Sequence, residues 1–175
     1  MRSKFNGSGL FSFIGQYLKK ITIYFSIIID SLILVIFELK IMRKIEHIGI
    51  AVKDLENAIK TYEALLGKEA YKSEDVESEG VKTVFFETGQ SKIELLSATR
   101  PDSPIAKYVK KRGEGIHHIA FDVSDIDSEI KRLKSEGFQL ISDEPKPGAD
   151  NKRIVFMHPK LLHGVLVELC EDNSR

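Results

Sequence analysis

The chain has 175 residues, 42% of them hydrophobic and 30% charged, which is enough for one well-buried globular domain and excludes disordered and fibrous classes. Lysine plus arginine balances aspartate plus glutamate at 26 each. Five of the basic but only two of the acidic groups fall in the first 41 residues, so the remainder is slightly negative and offers no bulk attraction to nucleic acid. The single cysteine, Cys170, excludes an internal disulfide and fits a reducing compartment such as the cytoplasm.

Residues 1–41 differ in character from the rest of the chain. Ile21 to Leu39 is almost continuously apolar behind Lys19 and Lys20, close to a bilayer-spanning length. Asp30 interrupts it at a cost of roughly 2.5–3.5 kcal/mol on insertion scales, and no small-residue cleavage pattern comes after it. The expectation is an extension outside the working domain, with a membrane or interfacial anchor as the second reading and a packed accessory element as the third. Residues 42–175 then form the domain, in modules of about 43–100 and 114–171.

Ile45 to Val52 alternates as a strand does, with Ile48, Ile50 and Val52 on a core face and His47, Gly49 and Ala51 opposite. The small residues leave room beside the imidazole. Asp54 reads as an N-cap, Leu55, Ala58, Ile59, Tyr62, Leu65 and Leu66 as a buried helix stripe, and Gly67 as the stop. Strand-like runs come next at Lys82–Glu87 and Ser91–Leu96, turning at Thr88-Gly89-Gln90. Asp102-Ser103-Pro104 opens a linker helix with proline at its first position. Its basic end, Lys107, Lys110, Lys111 and Arg112, is expected to be a solvated face complementing the helix dipole.

The first strand then recurs. Ile116-His117-His118-Ile119-Ala120-Phe121-Asp122-Val123 repeats Ile45 to Val52, and Leu166-Val167-Glu168-Leu169-Cys170 repeats Lys92-Ile93-Glu94-Leu95-Leu96. By parity His118 is the counterpart of His47, whereas His117 shares the face of Ile119 and Phe121 and is expected to be a structural core histidine. Asp125 or Ser124 caps the next helix, Ile126, Ile130 and Leu133 form its stripe, and Gly137 ends it. Arg153–Met157 and Val165–Cys170 close the second module around Leu162-His163-Gly164. The expected fold is α+β, two repeated β-α-β-β-β modules forming an open barrel-like metal cleft.

A lone strand histidine is more often structural than a ligand. Two histidines in register with two glutamates are a different matter, because imidazole and carboxylate together favour borderline divalent cations. The pattern points to a metal site of His47, Glu94, His118 and Glu168, open to zinc, cobalt, nickel, manganese or iron. His158 and His163 read as solvated loop residues. Asn151, Lys152 and Arg153 read as a polar start to a strand that could also meet an anionic substrate.

From Met42 to Glu171 the chain resembles the methylmalonyl-CoA epimerases of the vicinal oxygen chelate superfamily, the group that includes glyoxalase I, extradiol dioxygenases and fosfomycin- and bleomycin-resistance proteins. The resemblance lies in Glu46-His47-Ile48-Gly49-Ile50-Ala51-Val52, Asp102-Ser103-Pro104-Ile105-Ala106 and Gly113-Glu114-Gly115-Ile116-His117-His118-Ile119-Ala120. Asp143-Glu144-Pro145-Lys146, His158-Pro159-Lys160 and Gly164-Val165-Leu166-Val167-Glu168-Leu169 complete it. It implies a glyoxalase-like fold, a homodimer, an acyl-CoA thioester substrate and a divalent ion, often cobalt. It carries the ligand role onto His47, His118 and Glu168, with Glu94 where some members have glutamine. It also implies interconversion of the two epimers of methylmalonyl-CoA through loss and return of the α-proton.

One departure stands out. Some relatives place an acid/base glutamate two residues after the Gly-Val pair, and here Gly80-Val81 is followed by Lys82 and Thr83. Glu168 is then the first choice of base, with Glu94 or a water as the second group and Glu87 a distant third. The alternatives are another glyoxalase-type isomerase or a dioxygenase, or a metal-free module that sequesters a small molecule.

Overall fold

The computed structural model describes residues 21–29, 42 and 44–174. The chain divides into two compact units, Met1–Leu39 and Lys40–Arg175. In the first, residues 21–29 are helical and exposed. No helix among the described residues is long and apolar enough to cross a membrane. The rest of the Ile21–Leu39 stretch, Asp30 included, lies outside the described residues.

The second unit is built as the repeat requires. Its first module runs β1 (Lys44–Ala51), α1 (Leu55–Leu66), β2 (Lys72–Val76), β3 (Val81–Thr88) and β4 (Ser91–Ala98). After the linker helix α2 (Pro104–Arg112), the second runs β5 (Gly115–Asp122), α3 (Ile126–Ser135), β6 (Lys146–Pro147), β7 (Lys152–Met157) and β8 (Val167–Asp172). The strands form one curled sheet of order β2-β3-β4-β1-β5-β8-β7-β6. β1 pairs antiparallel with β5 at its centre, and each pairs parallel with the last strand of its own module, β4 or β8. That arrangement is two-fold in topology, so equivalent residues of the two copies face each other.

The expected caps are in place. Asp54, Ser103 and Asp125 accept from the backbone N–H of Asn57, Ala106 and Ser128, satisfying donors that a helix start leaves unpaired. Gly67 ends α1 at φ 65°, a conformation that costs glycine nothing. Leu55, Ala58, Ile59, Tyr62 and Leu66 pack on Val52, Val84, Phe86 and Leu95. Leu65 does not join them and is exposed, because it lies past the edge of that stripe. Ile126, Ile130 and Leu133 of α3 pack on Val155, Met157, Val167 and Leu169. Helix α2 sits on the other face of the sheet, where Ile105 meets Ala51, Val81 and Leu96 and closes one end of the concave side.

Two edge strands carry no periodic signal. β2 reads Lys72-Ser73-Glu74-Asp75-Val76, and β6 has two residues. Their pairing with β3 and β7 comes from the neighbouring strands.

Candidate metal centre

The parity of β4 and β8 puts Glu94 and Glu168 on the concave face, each beside the central strand of its module: Glu94 pairs with Gly49 and Glu168 with Ala120. Each also lies opposite a phenylalanine in the antiparallel neighbour, Phe85 or Phe156. His47, Glu94, His118 and Glu168 therefore meet in the middle of the sheet. All four are at most 6% exposed, and they floor a cleft of about 250 Å³.

The four side chains converge through specific atoms. His47 Nε2 lies 2.9 Å from His118 Nε2. Glu94 Oε2 is 3.3 Å from the first and 3.4 Å from the second, and the Glu168 carboxylate is 3.9 and 3.7 Å from them. Ligand atoms of His47, His118 and Glu168 all lie within 4.8 Å of one another. Two imidazole nitrogens and two carboxylates gathered around one point, away from bulk water, form a donor set suited to a borderline divalent cation. The only other such cluster among the described residues is Glu46, His47 and Cys170, whose buried thiol is pushed well above its usual range by burial.

The electrostatics separate the two carboxylates. Burial alone would raise Glu94, but hydrogen bonds and charge from His118 and His47 hold it well below the usual carboxylate range. Burial pushes Glu168 upward, against the pull of the same imidazoles and with help from the charge on Glu94. His47 is driven up to about 10 despite burial, because Glu46 and Glu94 both stabilise its charged form. Glu168 is thus the carboxylate that holds a proton more readily.

Two residues sit where strand alternation does not put them. In the β1–β5 ladder Ile45 pairs with Phe121 and His47 with Ala120, so Glu46 is an extra residue in β1. Gly49 pairs with His118 and Ile50 with Ile116, so His117 is an extra residue in β5. Each is a β-bulge, which turns two consecutive side chains to the same side. His117 accordingly lines the cleft next to His118 and is not a core histidine, which corrects the parity assignment. Burial and the nearby His118 lower it to about 4, so it is neutral. Glu46, which no sequence pattern singles out as a site residue, is buried beside His47, with His47 Nδ1 2.6 Å from its Oε2.

Thr83 lies in β3 between Val81 and Phe85, both of which line the cleft. It is fully buried and donates its hydroxyl to Glu94 Oε1 at 2.6 Å. Glu87, the distant third acid/base candidate, is exposed at the far end of β3 and takes no part. His158 and His163 are exposed loop residues, as expected. Lys152 is buried, donating to Asp172 at 2.7 Å and standing 3.6 Å from Glu46; Arg153 is paired with Asp127 and Glu171. The β6–β7 turn, with Asp150 and Asn151 at φ 54° and 57°, brings Asp150 across to the first module. There it accepts from Tyr71, Lys72 and Lys92 at the rim of the cleft.

Comparison with known proteins agrees with this architecture. The profile of the Glyoxalase/Bleomycin resistance protein/Dioxygenase superfamily matches residues 46–156. The chain is 42% identical over 128 residues to the ethylmalonyl-CoA/methylmalonyl-CoA epimerase of Cereibacter sphaeroides, covering 72% of this chain and 96% of the relative. It is 39% identical over 127 residues to the mitochondrial methylmalonyl-CoA epimerase of Homo sapiens, covering 72% of each. A Streptomyces coelicolor methylmalonyl-CoA epimerase variant in complex with 2-nitronate-propionyl-CoA superposes with a TM-score of 0.72 at 38% identity, over 77% of this chain and 97% of that one. With its paired modules, its central histidine strands and these relatives, the chain belongs to the Glyoxalase/Bleomycin resistance protein/Dioxygenase superfamily.

Proposed function

We propose that this protein interconverts the two epimers of methylmalonyl-CoA by moving the α-proton, with a divalent metal, cobalt first, held by His47, Glu94, His118 and Glu168. The observation that carries the reading is the convergence of those four buried side chains in a chain 38–42% identical to methylmalonyl-CoA epimerases. A pure binding module has no need of two imidazoles and two carboxylates aimed at one point. Zinc, manganese and nickel fit the same donors, since such sites follow availability and geometry as much as affinity.

The chemistry asks for three things. When bound, the ion would act as a Lewis acid and lower the cost of negative charge developing on the carboxylate and thioester oxygens. Glu168 is the first choice to take the α-proton on one face of the α-carbon, which a carboxylate beside a bound cation can do when its ligation loosens. On the other face the second group is Glu94, its carboxylate fixed by Thr83, or a water that it orders; held ionised by the two imidazoles, Glu94 hands on a proton that it draws from that water, and solvent restores the balance. Phe85 and Phe156 line the cleft beside the two glutamates and give its floor apolar walls. The homodimer, the cytoplasmic setting and a domain beginning near Met42 belong to the same proposal.

The test is deuterium exchange at the α-carbon of methylmalonyl-CoA in heavy water, with metal-stripped protein and after cobalt is restored. Exchange that requires the protein and rises with cobalt is expected. Absence of exchange under both conditions would overturn the epimerase reading, and full exchange by the stripped protein would overturn the role of the metal.

A further inference from the structure

The two bulges stand at equivalent places in the repeat, and each brings its extra residue onto the Nδ1 of the histidine next to it. Glu46 Oε2 lies 2.6 Å from His47 Nδ1, and His117 Nδ1 lies 3.0 Å from His118 Nδ1. The opposite ring nitrogens, both Nε2, are the atoms that face each other across the centre. We propose that Glu46 and His117 are positioning residues which take up the Nδ1–H of His47 and His118, fixing each ring so that its Nε2 lone pair points at the metal. The inference rests on the metal-site reading of the proposed function.

The geometry supplies the means. A neutral imidazole donates from one nitrogen and accepts or ligates through the other, so a fixed acceptor at Nδ1 decides which nitrogen is free. Strand alternation would send the residue before each histidine to the opposite face; the bulge is what places the acceptor alongside. Both acceptors are themselves held. Lys92 donates to Glu46 Oε1 at 2.5 Å and in turn to Asp150, so the carboxylate cannot swing away from the ring. His117 packs edge-on against Tyr108 at 4.9 Å, and the Tyr108 hydroxyl is anchored to the Ile116 carbonyl. The two supports differ in kind, a charged carboxylate for His47 and an imidazole for His118. Loss of Glu46 should therefore weaken metal binding more than loss of His117.

The experiment uses the full chain, stripped of metal and titrated with cobalt in competition with a chromophoric chelator, and 15N-edited NMR of the imidazoles in the zinc-loaded protein to read their tautomers. Wild type is measured beside Glu46→Leu, Glu46→Gln, His117→Leu and His117→Asn. Glu46→Leu is expected to bind cobalt 10- to 100-fold more weakly, the usual scale for such outer partners, with His47 no longer held in the Nδ1–H form. Glu46→Gln, nearly isosteric, keeps an acceptor oxygen without the charge and should recover part of the affinity; it also decides the question if Glu46→Leu does not fold. His117→Leu should lose less, and His117→Asn, whose amide oxygen can stand near the position of Nδ1, should recover most of it. Wild-type affinity and unchanged tautomers in the glutamate variants would overturn this inference alone. Failure of the wild type to take up cobalt would overturn the metal reading, and this inference with it.

Discussion

Gly49 lies opposite His118 in the β1–β5 ladder, and a Cβ added to it would fall 2.3 Å from His118 Cε1. The imidazole occupies the space a side chain would take. That position needs glycine for room and not for backbone freedom, and it is the reason the second histidine can lean over the first strand. Gly49→Ala should force the buried ring to move, weakening cobalt binding at least tenfold and costing about 1–3 kcal/mol, the range for overpacking a close-packed site. Titration with cobalt and denaturant unfolding measure the two effects; unchanged affinity would mean the ring yields freely.

His118→Ala should abolish metal uptake and exchange at the α-carbon, because it removes one of two facing nitrogens 2.9 Å apart. Metal content after gel filtration, read beside the circular dichroism spectrum, separates this from misfolding. Retention of metal at wild-type level would remove His118 from the ligand set.

Glu94→Gln should preserve metal binding, since an amide oxygen still ligates, while slowing epimerisation by about 10²-fold or more, the scale of general acid–base contributions. Turnover equal to wild type with metal still bound would leave Glu94 a ligand only, with a water as the second acid.

Thr83→Val keeps shape and removes the hydroxyl that donates to Glu94 at 2.6 Å. A buried carboxylate oxygen losing its donor should cost about 1–3 kcal/mol in denaturant unfolding of the metal-free protein. A cost below about half a kcal/mol would show that Glu94 finds another donor.

A chain beginning at Met42 should fold and retain full activity, since every proposed ligand lies beyond it and the helices of the repeat are covered by their own module. Solubility on expression should rise and the melting temperature should hold. Insolubility or inactivity would place the first 41 residues within the working domain.

Much of this molecule can be read from local pattern, because its rules act between residues close in the chain. Alternation puts His47, His118, Glu94 and Glu168 on one side of their strands, caps at Asp54, Ser103 and Asp125 set three helix starts, and the repeat makes the two histidine strands equivalents. What alternation does not carry is any break in its own period. A single bulged residue reverses the parity of its neighbour, so strict alternation sends Glu46 and His117 away from the cleft although the structure places both in it. The bulges are visible only in the register between β1 and β5, two strands separated by most of the first module. The edge strands β2 and β6 likewise take their place from partners and not from their own polar sequences. The tertiary fold alone decides that Thr83 holds Glu94 and that Lys92 joins Glu46 to Asp150, since such contacts depend on where distant backbones are brought together. Sequence determines the donors and their faces; long-range register decides which neighbours hold them.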